Sequence, residues 1–157
     1  MPKDLIAKVH ASETFNQGFA TVEYLASAIV DLAYHRLEDA SDIDPIEFEA
    51  VTLAKLGMPH AIGMRHRSSH FLHVFTGDGY AAGYYSYMWS EVLDADAFAA
   101  FKETGDVFDA DMAERLKDNI YAAGGRRSGE DAYLGFRGRL PEIDGLLRDR
   151  GLMNSSG

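Results

Sequence analysis

The chain has 157 residues, 46% of them hydrophobic and 25% charged, with a formal net charge of −10 and no cysteine. That profile suits one soluble globular domain with its own core, and it excludes a disulfide framework, a thiolate zinc site and a cysteine nucleophile. The negative charge and the shortness of the basic clusters "RHR" and "GGRR" argue against nucleic acid as a partner.

The opening "MPKDLIAKVH" lacks the apolar core of a signal peptide, and the most apolar stretch, "YLASAIVDLAY", is interrupted by Asp31 well short of a membrane span. A cytoplasmic protein with no membrane partner is expected. From Ser12 the residues Phe15, Phe19, Val22, Leu25, Ala26, Ile29, Ala33 and Leu37 recur at spacings of three and four. This predicts an amphipathic helix, with Thr14 and Gln17 as its capping box. Asp44 as N-cap, Pro45 at the first helical position and Glu47 at the third predict a second helix over 45–56, closed by Gly57. The stretch 58–76 reads as irregular, with one short extended piece at Phe71 to Phe75.

Helical periodicity resumes at Tyr80 and runs to about Leu93. Further helices are expected over Ala97 to Glu103, ended by Gly105; after Asp109, through Met112, Leu116 and Ile120; after Ser128, through Ala132 to Phe136; and from Pro141 to Gly151. The expectation is an all-α, multi-helix chain, a single helical region over 1–152 with a flexible tail at 153–157. No internal repeat is visible.

"GDGYAAGYYSYMW" is the densest chemistry in the chain, with four tyrosines and its one tryptophan within thirteen residues. On a helix, Tyr80, Tyr84, Tyr87 and Glu91 would lie within about 60° of one another at 100° per residue, with Tyr85, Trp89 and Val92 opposite. Phenols on one face are either core tyrosines, each satisfied by a carbonyl or water, or a wall of donors for carbonyl oxygens or a developing oxyanion. In front of them "HVFTGDGY" adds His73 and two glycines, Gly77 and Gly79, able to take positive φ and bend around a bound chain. Gly83, beside that face, would admit close approach to the backbone. His66, His70 and His73 stand at i, i+4 and i+7 and would share a face if helical, but no helix start precedes them and the chain has no His-Glu-x-x-His motif, so no metal site is assigned.

The segments "FNQGFATVEYLASAIVDLAYH" (15–35), "HFLHVFTGDGYAAGYYSYMWSEVLDADAFAAF" (70–101) and "FRGRLPEIDGLLRDRGL" (136–152) resemble the C-terminal end of the thimet oligopeptidase and peptidyl-dipeptidase family of zinc metallopeptidases, and most of all its bacterial peptidyl-dipeptidases. The likeness runs from about Lys3 to Leu152. It implies the C-terminal part of a helical catalytic domain, acting on short peptides, whose zinc ligands and general base belong to an upstream His-Glu-x-x-His segment. It implies zinc in the parent enzyme and none in this chain alone, which is expected to be inactive by itself. By the same resemblance His73, Tyr80, Tyr84 and Tyr87 bind substrate, and Tyr84 and Tyr87 also help stabilise the tetrahedral intermediate; Gly77 and Gly79 are expected to bind it as the loop that bends around the chain. Asp78 lengthens the loop by one residue relative to some members of the family. The implied partners are short peptides and the upstream part of the same polypeptide, and self-association is expected where that part is missing. A stand-alone helical module that binds a peptide or protein without catalysis is the alternative.

Overall fold

The computed structural model describes residues 1–153, and among them the regular structure is helical, with no strand. The all-α class is therefore as expected. Of the expected tail, 154–157 lie outside the described residues. The chain divides into two compact units, Met1–Tyr87 and Met88–Gly157.

In the first unit the helix expected from Ser12 begins only at Gln17, as α2 (Gln17–Tyr34), and a further helix that was not expected, α1 (Lys3–Glu13), precedes it. They part at Asn16, which adopts φ +59 and stands at the N-cap of α2 without a side-chain cap bond. The Thr14–Gln17 capping box does not form, because the Gln17 amide donates back to the Glu13 carbonyl at 2.8 Å. α3 (Pro45–Lys55) starts where its signals place it, with the Asp44 carboxylate accepting from the amides of Ile46 (2.8 Å) and Glu47 (3.0 Å). Ala26 and Val30 of α2 pack with Leu53 of α3 and with Met64, flanked by Tyr34 and Met58.

The stretch after α3 is more ordered than its composition suggests, and Phe71 to Phe75 is not extended. A 3₁₀ turn at Ser68–His70 leads into α4, a single helical turn over Leu72–Phe75. Buried Glu49 of α3 accounts for this, since its carboxylate accepts from the Ser68 amide (2.8 Å) and hydroxyl (2.9 Å) and pairs with Arg67 (2.7 Å).

The helix expected from Tyr80 begins at Ser86 and does not stop near Leu93. α5 runs unbroken over Ser86–Thr104, taking in the separate Ala97 to Glu103 element. Tyr80 to Tyr85 instead form turns. The Gly83 amide bonds the Tyr80 carbonyl at 2.9 Å, and Ala82, the third residue of that turn, has φ +55. A left-handed residue cannot continue a right-handed helix.

In the second unit α6 (Ala110–Leu116), capped by Asp109, continues through a π turn at Lys117–Tyr121, followed by α7 (Gly129–Arg137) and α8 (Asp144–Asp149). Ser128 caps α7 through the Asp131 amide, and Gly138 closes it at φ +78. The last helix starts three residues after Pro141. Ala100, Tyr133 and Phe136 form the core, lined by Leu93, Ala97, Met112, Leu116 and Ile120. The π turn inserts a residue into the ladder while Leu116 and Ile120 still reach that core.

A charged network stands beside it. Buried Asp96 of α5 accepts from the Tyr133 hydroxyl (2.7 Å), Arg139 Nη2 (2.6 Å) and Arg137 Nε (3.3 Å), and Arg137 also grips Glu103 through two bonds of 2.6 Å. Burial works to raise the Asp96 pKa, but the bonds from Tyr133 and Arg139 and the two guanidinium charges hold it below its ordinary value. Burial and the adjacent Asp96 push the Tyr133 phenol well up. A buried carboxylate is tolerated here because three donors converge on it.

Candidate functional site

The turn at Tyr80 to Tyr85 gathers the aromatic residues that a helix was expected to align. The His73 ring, on α4, lies 4.2 Å between centroids from Tyr80, 6.3 Å from Tyr84 and 6.2 Å from Tyr87. Tyr84 and Tyr87 meet edge to face at 5.6 Å. His73 Nε2 is 3.1 Å from the Tyr87 hydroxyl. All four expected side chains thus form one cluster inside the first unit, built by a turn and a helical N-terminus rather than by one helix face.

The members differ in access. Tyr80 is 51% and Tyr87 44% exposed, whereas Tyr84 is 8% exposed, stacked at 4.9 Å on Tyr24 and set edge-on to Phe71. Tyr80 and Tyr87 are thus half-exposed, and the buried Tyr84 ring packs edge to face against Tyr87. Gly77 and Gly79 lie exposed beside the cluster, with open space where a side chain would be, but neither takes the positive φ expected of it. That role falls to Ala82. At Gly83 the close approach is to its own turn: a Cβ there would sit 3.1 Å from the Tyr80 carbonyl oxygen.

What holds this arrangement was not among the expected site residues. Asp31, fully buried on α2, accepts from the amides of Ala82 (3.1 Å, at Oδ1) and Tyr84 (3.0 Å, at Oδ2). His35, one turn on, places Nδ1 2.8 Å from Asp31 Oδ1 and 2.9 Å from the Asp31 carbonyl. Both of those neighbours are acceptors, so Nδ1 carries its proton there. The Tyr24 hydroxyl donates to the Tyr84 carbonyl. The sequence signal was a lone aspartate in an apolar helix face, which a buried position permits only with donors around it.

Among the described residues no group of three or more His, Cys, Asp or Glu could hold a metal ion. His66 stacks on Phe71 at 4.9 Å, His70 ends the 3₁₀ turn and His73 faces the tyrosines, so the three do not form a site together. No helix among the described residues is long and apolar enough to cross a membrane. In the second unit a groove of about 800 Å³ is lined mainly by apolar residues, including Trp89, Phe98, Phe101, Leu116 and Leu140.

Comparison with known proteins gives one consistent result. The dipeptidyl carboxypeptidase of Salmonella typhimurium is 39% identical over 155 residues, covering 97% of this chain and 22% of its own length. That of Escherichia coli is 36% identical with the same coverage, and the oligopeptidase A of Haemophilus influenzae is 32% identical over 98% of this chain and 22% of its own. The chain thus spans about a fifth of the length of the curated relatives it matches. The family model described as "Peptidase family M3" matches residues 1–152, and the chain belongs to that family of peptidases.

Proposed function

We propose that this chain is the C-terminal part of the catalytic domain of a cytoplasmic zinc-dependent oligopeptidase or peptidyl-dipeptidase, and that its histidine–tyrosine cluster binds short peptides and stabilises the oxyanion of their hydrolysis. The observation that carries the reading is the gathering of His73, Tyr80, Tyr84 and Tyr87, with His73 Nε2 3.1 Å from the Tyr87 hydroxyl. A peptide backbone presents carbonyl oxygens, and half-exposed phenols answer them with O–H donors. With an Nε2–H donating to the Tyr87 oxygen, the phenolic proton stays free for a substrate carbonyl, and that hydrogen bond strengthens as negative charge develops on the carbonyl oxygen. A single preorganised donor of this kind contributes roughly 2.7–4 kcal/mol to a transition state. Tyr80, half-exposed, reaches substrate from solvent, and Tyr84, packed edge to face on Tyr87, keeps it in place.

No group among the described residues fits a catalytic zinc site; on this reading the metal of the parent enzyme has its ligands outside this chain, which alone is expected to be inactive. A chimaera tests the reading. This chain replaces the matching segment of the Escherichia coli dipeptidyl carboxypeptidase, and peptide hydrolysis is measured with and without Tyr87→Phe and Tyr84→Phe. The expected result is an active chimaera in which Tyr87→Phe lowers kcat by about 10²–10³ with a much smaller rise in KM. A folded chimaera without activity would favour the stand-alone binding module, and unchanged kcat in both variants would remove the oxyanion role.

A further inference from the structure

Tyr24, Asp31 and His35 are spaced seven and four residues apart on α2, which places them within about 40° of one another around the helix. Each touches a different piece of the cluster's support. Tyr24 bonds the Tyr84 carbonyl and stacks on its ring; Asp31 bonds the Tyr84 and Ala82 amides; His35 stacks at 5.6 Å on Phe75, which shares the single turn of α4 with His73. The backbone of Tyr84 is therefore held at both its amide and its carbonyl by one stripe of one helix. The other wall, bearing His73, is held by the neighbour that Asp31 itself orients.

We propose that Asp31 is the positioning residue of the peptide site, acting with Tyr24 and His35 as a template that fixes the tyrosine turn and α4 in mutual register. The name of the site rests on the function proposed above; the coupling of its two walls does not. Three donors converge on the Asp31 carboxylate: the Ala82 amide, the Tyr84 amide and His35 Nδ1–H. A carboxylate accepts all three at once, whereas a carboxamide has one acceptor oxygen and must turn its own N–H₂ toward one of these donors. Asp31→Asn thus changes the site's geometry at nearly constant volume. Without that anchor Ala82 has no reason to hold φ +55, and the His73–Tyr87 contact loses one of its walls.

The experiment uses the isotope-labelled chain without peptide. It reads amide hydrogen exchange at Ala82 and Tyr84, the His73 Nε2 nitrogen shift and ring contacts between His73 and Tyr87. Asp31→Asn is expected to speed exchange at Ala82 and Tyr84 at least tenfold and to abolish the His73–Tyr87 contact, with less than twofold change at Leu53 and Phe136. His35→Ala is expected to lose the His73–Tyr87 contact while leaving the two amides protected. Should Asp31→Asn unfold the chain, Tyr24→Phe, which keeps the ring stack, and His35→Ala carry the test, with the same loss of the His73–Tyr87 contact at preserved helicity. Unchanged amide protection and ring contact in Asp31→Asn, or an unchanged contact in both other variants, overturns the proposal. In the chimaera described above, kcat and KM unchanged by Tyr80→Phe and Tyr87→Phe refute the peptide site alone, and kcat and KM unchanged by Asp31→Asn refute the positioning role alone.

Discussion

Replacing Asp96 by asparagine removes one negative charge from the second unit while keeping the side chain's size and its capacity for hydrogen bonds. Three donors face the carboxylate, and each retains another partner: Arg137 keeps its paired bonds to Glu103, Arg139 keeps the Leu140 carbonyl, and the Tyr133 hydroxyl keeps a longer bond of 3.4 Å to the Leu93 carbonyl. The loss is therefore smaller than the 3–5 kcal/mol typical of orphaning a buried charge. Converting charge-assisted bonds at about 1.5–3 kcal/mol into neutral ones near 1, and leaving one donor with only its other partner, gives a destabilisation of about 2–3 kcal/mol. With an unfolding entropy of about 2.1 cal/mol/K per residue, a chain of this length has a ΔS near 0.33 kcal/mol/K, so the melting point falls by about 6–9 °C. The pH dependence fixes the cause. The folded-state pKa of Asp96 lies below its ordinary 3.8, so the stability it contributes is complete above that value and is lost as pH falls through the folded value. Melting curves of the wild type and Asp96→Asn, followed by circular dichroism from pH 7 to pH 2.5, should be furthest apart near neutrality and converge below about pH 4. A gap under about 2 °C at pH 7, or one that stays constant at pH 3, refutes the account of the network.

Gly135 sits where an added Cβ would lie 2.4 Å from Asn119 Oδ1, yet alanine is otherwise favoured over glycine in a helix by roughly 1 kcal/mol. Gly135→Ala should thus be neutral or destabilising in the native chain and stabilising by about 1 kcal/mol once Asn119→Ala has cleared the space, which chemical denaturation of the two pairs will decide. The apolar groove of the second unit and the exposed Phe15, Phe19 and Trp89 call for cover, since burial is worth about 25 cal/mol per Å². The purified chain should sediment as a dimer or larger species at tens of micromolar, and a monomer with low binding of a hydrophobic dye would contradict this.

Three of the local capping signals hold, although the equally local Thr14–Gln17 box does not form. Asp44, Asp109 and Ser128 cap helices as their spacing indicates, because an N-cap bonds an amide two or three residues away. The break at Asn16 was hidden by an apolar spacing that continues across it. The tyrosine turn shows the larger limit. Tyr80, Tyr84 and Tyr87 carry spacings that fit a helix, but the acceptor that claims the amides of Ala82 and Tyr84 lies 51 and 53 residues earlier, at Asp31, where no local pattern announces it. The expected members of the site come together all the same, and the missing information was its support: an aspartate read only as an interruption of an apolar helix. Glu49 teaches the same lesson for the 3₁₀ turn at Ser68, since a buried carboxylate and the segment it organises are 19 residues apart.

Alanine, rather than glycine, occupies the left-handed position of the tyrosine turn. A glycine would relieve strain of roughly 1 kcal/mol in the folded turn, but it would also open many more backbone states to the turn. With alanine the strained conformation is met by the Asp31 bonds when the chain folds, and few other conformations compete with it afterwards. The ordering entropy of the turn is thus settled at folding, before any ligand arrives. On the function proposed above, a peptide landing on Tyr80 and Tyr87 would give up its own freedom and little of the protein's, so its contacts would convert into affinity with a small entropic loss on the protein side.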